Sequence, residues 1–149
     1  MADLTVTITD QVSLNGSIRG SSNVVTQTNI VDVFERIVTC THSQETTIAT
    51  FAASPYTSAG AIDQDRSKYI RITNLSATED IEVAFVGSAT LYQVKIRAGY
   101  SHILSEGVEI LLAEADTTPS FGTMEAMSKI VVKPVGTTDV QCELFVWLV

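Results

Sequence analysis

Apolar and polar residues alternate along most of this chain with a period of two. Leu4, Val6 and Ile8 interleave with Thr5, Thr7 and Thr9, and Ile70 and Ile72 with Arg71 and Thr73. Ile81, Val83 and Phe85, then Tyr92, Val94 and Ile96, repeat the pattern, and Ile130 and Val132 carry it further. Successive side chains of a strand point to opposite faces, so each segment predicts a strand with one face in a core and the other turned outward. Asn15-Gly16 lies between two such segments. That dipeptide tolerates two positive φ angles and predicts a tight hairpin turn. Further turns are expected at residues 42–45, 74–80, 87–88, 98–99, 106–107, 117–120 and 134–137. From Tyr69 onward strands recur every ~10 to 12 residues, the spacing of a sandwich or barrel. The pattern predicts an all-β chain: one domain over residues 1–149, an antiparallel β-sandwich of roughly 8–11 short strands.

Four stretches are less regular. Gly20-Ser21-Ser22-Asn23 reads as a loop. In residues 29–40, Ile30, Val33, Phe34, Ile37 and Val38 fit a helical stripe. The density of Val and Ile there favours a strand, with a bulge near Glu35-Arg36 to reconcile the phase. Residues 46–52 read as its antiparallel partner across the turn at His42. Residues 54–68, with Pro55 and Gly60, form the longest stretch without a pattern and read as a surface excursion.

The final strand differs from the rest. Val140, Cys142, Leu144, Val146 and Leu148 make one apolar face, while the other turns from Gln141 and Glu143 to Phe145, Trp147 and Val149. One two-sheet core covers only one of these faces. Phe145, Trp147 and Val149 are therefore a candidate subunit interface, unless the 54–68 excursion folds over them. Burial of Phe145 and Trp147 would contribute roughly 2 to 3 kcal/mol each.

Composition narrows the classes. Thr, Val and Ile make up about a third of the 149 residues, which suits pleated sheet. Charged residues are 17% and the net charge is −8, which argues against nucleic acid and against an anionic membrane surface. No apolar run approaches the roughly 20 residues of a spanning helix, and Met1-Ala2-Asp3 does not open a signal peptide. Cys40 and Cys142, a hundred residues apart, are expected as buried thiols.

Candidate chemistry is thin. His42 and His102 have no His or Cys at ligand spacing. Asp63-Gln64-Asp65 starts like a calcium loop, but Arg66 and Lys68 stand where oxygen ligands are needed. Glu79/Asp80 and Glu114/Asp116 are paired carboxylates with nothing to place them across a cleft. No nucleophile elbow, phosphate loop or dinucleotide fingerprint occurs. The residues thus predict no enzyme, no metal and no cofactor. Lys95 and Arg97, near Lys129 and Lys133, are a candidate surface for an acidic partner or a solvated face. Tyr56 is the plausible platform for the rival reading, a carbohydrate-binding module.

Three stretches carry a resemblance. LTVTITDQVSLN (residues 4–15) with Gly16 resembles the opening of small virion proteins of tailed bacteriophages. VFERIVTCTHSQETTIATF (33–51) resembles the long hairpin those proteins carry next. YIRITNLSATEDIEVAFVG (69–87) followed by YQVKIRAGYSHILS (92–105) resembles their strand, Thr-Asn-Leu, strand, Ala-Gly pattern. The resemblance implies a jelly-roll or related β-sandwich that assembles as a homotrimer and decorates or cements the capsid exterior. It implies contact with the major capsid protein or another virion protein, synthesis in the host cytoplasm and no catalytic residues. A tail, fibre or baseplate component is the neighbouring expectation.

Overall fold

The computed structural model describes residues 2–55, 59–107, 111–112 and 122–149. The chain forms two compact units, residues 1–32 with Val149, and residues 33–148. The sequence pattern does not announce this division, because strand character runs through it unbroken.

The first unit is a two-stranded antiparallel ribbon of β1 (Ala2–Leu14) and β2 (Ser17–Ile30). Its turn is the Asn15-Gly16 dipeptide, with φ of 52° and 76°, as the hairpin expectation requires. Residues 20–23, expected as a loop, are instead mid-strand in β2, paired with residues 8–11. Small polar residues hide that strand from a hydrophobicity reading. Gly20 is needed there: at its φ of 156° a Cβ would stand 1.8 Å from the Asp10 carbonyl oxygen. The alternation in β1 is real, but its burial is not as expected. Leu4 and Val6 are half-buried, whereas Ile8 is 45% and Val12 55% exposed.

The second unit is the sandwich. Its strands are β3 (Asp32–Cys40), β4 (Thr46–Ala52), β5 (Ile62–Asp63), β6 (Ser67–Asn74), β7 (Ile81–Val86), β8 (Leu91–Ile96), β9 (Ser101–Leu104), β10 (Leu111–Leu112), β11 (Met124–Glu125), β12 (Lys129–Pro134) and β13 (Val140–Leu148). One sheet has the order β5-β4-β12-β7-β8 and the other β3-β13-β6-β9, while β10 and β11 pair separately. β12 pairs antiparallel with β4 and β7, as do β7 with β8, β6 with β13 and β9, and β10 with β11, whereas β4 meets β5 in a short parallel contact. Alternate residues of the two sheets meet in one core. Ile48, Val83, Phe85, Ile130 and Val132 come from the first, and Ile70, Ile72, Cys142, Leu144 and Val146 from the second.

The helix-like stripe in residues 29–40 resolves as a strand. Phe34, Val38 and Cys40 pack inward, and Arg36, in the same phase, donates its guanidinium to the Ile48 carbonyl and lies 4.9 Å over the Phe34 ring. Period two therefore runs through β3 without the expected bulge. Val33 and Ile37, which made the stripe look helical, are exposed. The expected hairpin of residues 33–51 does not form either. The turn at His42 carries the chain across the sandwich, so β3 pairs with β13 and β4 with β12.

The Asn74 of the Thr-Asn-Leu segment holds one end of the sandwich together. It is fully buried, and its Nδ2 donates to the carbonyls of Glu79 (2.8 Å) and Ile96 (3.2 Å). Its Oδ1 accepts from the Ser76 N–H at 3.0 Å, and its backbone meets Tyr100 and Gly99. The adjoining turns are thus fixed to each other through one amide.

Replacing Asn74 by Ala would orphan the buried Ile96 carbonyl and the part-buried Glu79 carbonyl, and is expected to cost roughly 1–3 kcal/mol in urea denaturation. Gly20→Val is expected to abolish protection of the ribbon amides in hydrogen exchange while leaving those of β12 and β13 protected.

Candidate functional site

The outward stripe of β13 continues across β6. Antiparallel register sets Trp147 opposite Tyr69, Phe145 opposite Arg71 and Glu143 opposite Thr73, so these side chains share the outer face of the four-stranded sheet. Trp147 stacks on Tyr69 with centroids 4.3 Å apart and meets Phe145 edge-on at 5.9 Å. Arg71 lies 5.3 Å over the Phe145 ring and pairs with Glu143 at 2.8 Å. Trp147 is 3% exposed within its own chain, while Phe145 and Val149 are half-buried. The stripe expected as a subunit interface is thus closed at Trp147 and partly open at its two ends. The excursion proposed to cover it goes elsewhere as far as it is described: Ile62 pairs with Phe51 and enters the core. Tyr56 lies outside the described residues.

Two buried donors on this outer face lack acceptors among the described residues, Arg71 Nε and Trp147 Nε1. Neither could be foreseen from sequence, since orphaned donors appear only when a sheet is assembled.

The outer face of the other sheet forms a lattice. Lys133, Glu82 and Lys95 lie side by side across β12, β7 and β8, followed by Val131, Ala84 and Gln93, then Lys129, Val86 and Leu91. The result is an apolar floor with alternating charge around it, forming a groove of about 410 Å³ that Glu45 also lines. Lys95 is held by Asp80 at 3.1 Å. Lys129 and Lys133 have no ion pair among the described residues. Lys95, Lys129 and Lys133 therefore share one face, whereas Arg97 lies past the end of β8. What the sequence hid is the apolar floor, because Ala84 and Val131 are outward residues in strands whose inward residues are more apolar still.

Several titratable groups are occupied in the fold, while Glu114 and Asp116 lie outside the described residues. His42 Nδ1 meets Asp139 at 2.7 Å, and that carboxylate also accepts the His42 N–H at 2.9 Å. These bonds hold the Asp139 carboxyl below its usual range. Asp63 caps the Asp65 and Arg66 N–H groups at 3.1 and 3.3 Å, a turn in place of an ion loop. Glu125 accepts from the Ser88 hydroxyl and from the N–H groups of Ser88, Ala89 and Thr90, which lowers its carboxyl. His102 Nε2 lies 2.8 Å from the Tyr92 hydroxyl beside Phe85, and burial lowers its affinity for a proton. Cys40 and Cys142 are both buried, with sulfurs 3.6 Å apart. The neighbouring Cys40 thiol and burial together push the Cys142 thiol up. Among the described residues no group of three or more His, Cys, Asp or Glu is placed to hold a metal. Among the described residues no helix is long and apolar enough to cross a membrane.

Compared with known proteins, the chain matches no family model, no curated protein and no solved structure. The phage resemblance therefore rests on the three sequence stretches alone.

The lowered proton affinity of His102 has a definite sign. The unfolded chain takes up a proton near 6.5, the folded one only at lower pH, so stability falls as pH drops through that interval. Urea midpoints are expected to decline from pH 7 to 5, and less steeply in His102→Gln. Below about pH 4 the depressed carboxyls of Asp80, Glu125 and Asp139 lose stabilisation in both proteins.

Proposed function

We propose that this chain is a non-enzymatic structural protein of a bacteriophage virion, which binds the capsid exterior as a homotrimer and stabilises it. The observation that carries the reading is the outer lattice of the five-stranded sheet. It combines an apolar floor with two lysines that have no ion pair among the described residues, in a protein whose net charge is −8. Such a surface suits a broad protein partner with acidic groups above Lys129 and Lys133, since charge orients an encounter and apolar contact holds it. The resemblance of residues 4–16, 33–51 and 69–105 supplies the virion. The employment of His42, His102, Glu125 and both cysteines in structural contacts supports a role without catalysis.

Cement action follows from contact area. Each copy bridges shell subunits, and three linked copies raise the effective concentration of each weak contact. Acidity suits an outward surface better than one facing packaged DNA.

The test uses phage heads and separated tails from the virus encoding the chain, with the purified protein added. Co-sedimentation with heads and a raised temperature of DNA release are expected. Lys129→Glu with Lys133→Glu is expected to weaken head binding at least tenfold at low salt, and less at high salt. Binding to tails alone would replace capsid decoration by the tail, fibre or baseplate role. Retention on glycans would move the assignment to a carbohydrate-binding module.

A further inference from the structure

The ribbon of β1 and β2 leaves an apolar face without cover. In an antiparallel pair, directly opposed residues point to the same side, so the register sorts the ribbon into two faces. One carries Leu4, Val6, Ile8, Val12 and Leu14, with Val25 opposite Val6. The other carries Thr5, Thr7, Thr9, Gln11 and Ser13, opposite Thr26, Val24, Ser22, Gly20 and Ile18, so that Val24 and Ile18 are its two apolar residues. Beyond the half-buried Leu4 and Val6, the apolar face is open: Ile8, Val12, Leu14 and Val25 are each exposed by about half. A two-stranded hairpin is at best marginally stable in water and needs a third strand or a packing partner. Among the described residues no third strand pairs with β1 or β2.

We propose that this face packs against the same face of other copies of this chain. The charges on it select that occupant. Asp10 and Arg19 are its only charged residues, one acid and one base on diagonal positions, and neither is ion-paired among the described residues. A partner of a single charge sign would set one of them against a like charge. A second copy offers each its opposite, as a self-complementary interface does. The ribbon is also where copies approach most cheaply. Between residues 2 and 30 the chain carries Asp3, Asp10 and Arg19 alone, so nearly all of the net −8 lies elsewhere.

Residues 4–14 span roughly 36 Å, and two strands make a strip about 10 Å wide, or roughly 350 Å² per copy. Two such strips fall well short of the ~1,200 Å² at the lower end of stable interfaces, so the number of copies is taken from the trimer of the proposed function. The inference rests on the homo-oligomer in the proposed function and not on the capsid.

The experiment is light scattering on a sizing column with the full-length chain, and its Val12→Glu and Thr7→Glu variants. Both substitutions add the same charge, on opposite faces of the ribbon. Wild type and Thr7→Glu are expected at about three times 16.1 kDa, and Val12→Glu at the monomer mass. A shift of at least tenfold in the concentration for half-assembly also counts as support. Near-ultraviolet circular dichroism of Trp147 reports whether each sandwich is folded. An oligomer that Val12→Glu leaves intact would overturn the ribbon as the contact while leaving the trimer standing. A wild-type monomer would overturn both, and the head-binding assay would still decide the capsid reading by itself. A wild-type dimer that only Val12→Glu dissolves would keep the ribbon contact and discard the trimer.

Discussion

The sandwich depends on one constraint: the strands of its two sheets must deliver their alternate residues to a single interior from opposite sides. β12 and β13 show it most directly. A turn at residues 135–139 separates them, yet they lie in different sheets, with Ile130 and Val132 facing Cys142, Leu144 and Val146. The turn at His42 does the same for β3 and β4. Each change of sheet removes a hairpin pairing that the sequence invites, and apolar burial across the interior compensates for it. That is why Asn74 matters beyond its own hydrogen bonds, since the turns it anchors keep β6, β7 and β8 from sliding out of register.

Inward-facing residues were legible because alternation is local. The core positions of β6, β7, β12 and β13 follow from the pattern alone, as does the turn at Asn15. What could not be read is which strand lies beside which. Residues 33–40 and 46–52 look like hairpin partners because they are adjacent in sequence, and only the competition among all strands sends them to separate sheets. Arg36 misled in another way: a charged residue at an inward position breaks the apolar rhythm and makes a strand resemble a helix.

The surface divides along the same line. Phe145 and Trp147 stand out in sequence as too apolar for a solvated face, and Tyr69 accounts for much of that excess within the chain. Val12 and Ile8 drew no such notice, because a Thr-flanked alternation is ordinary for a strand half inside a core. Their exposure is a property of placement. The lattice around Lys129 and Lys133 is similar, because its apolar floor exists only once β7, β8 and β12 are side by side.

The ribbon joins the sandwich through Asp32, and the next residues are those of β3, an edge strand. Along the backbone, a pull on the ribbon reaches the sandwich at β3. The resisting elements are the β3–β13 ladder and the Arg36 guanidinium, which ties β3 to the Ile48 carbonyl of the opposite sheet. Load applied there is carried first by the pairing of β3 with β13, the two strands that hold the buried Cys40 and Cys142.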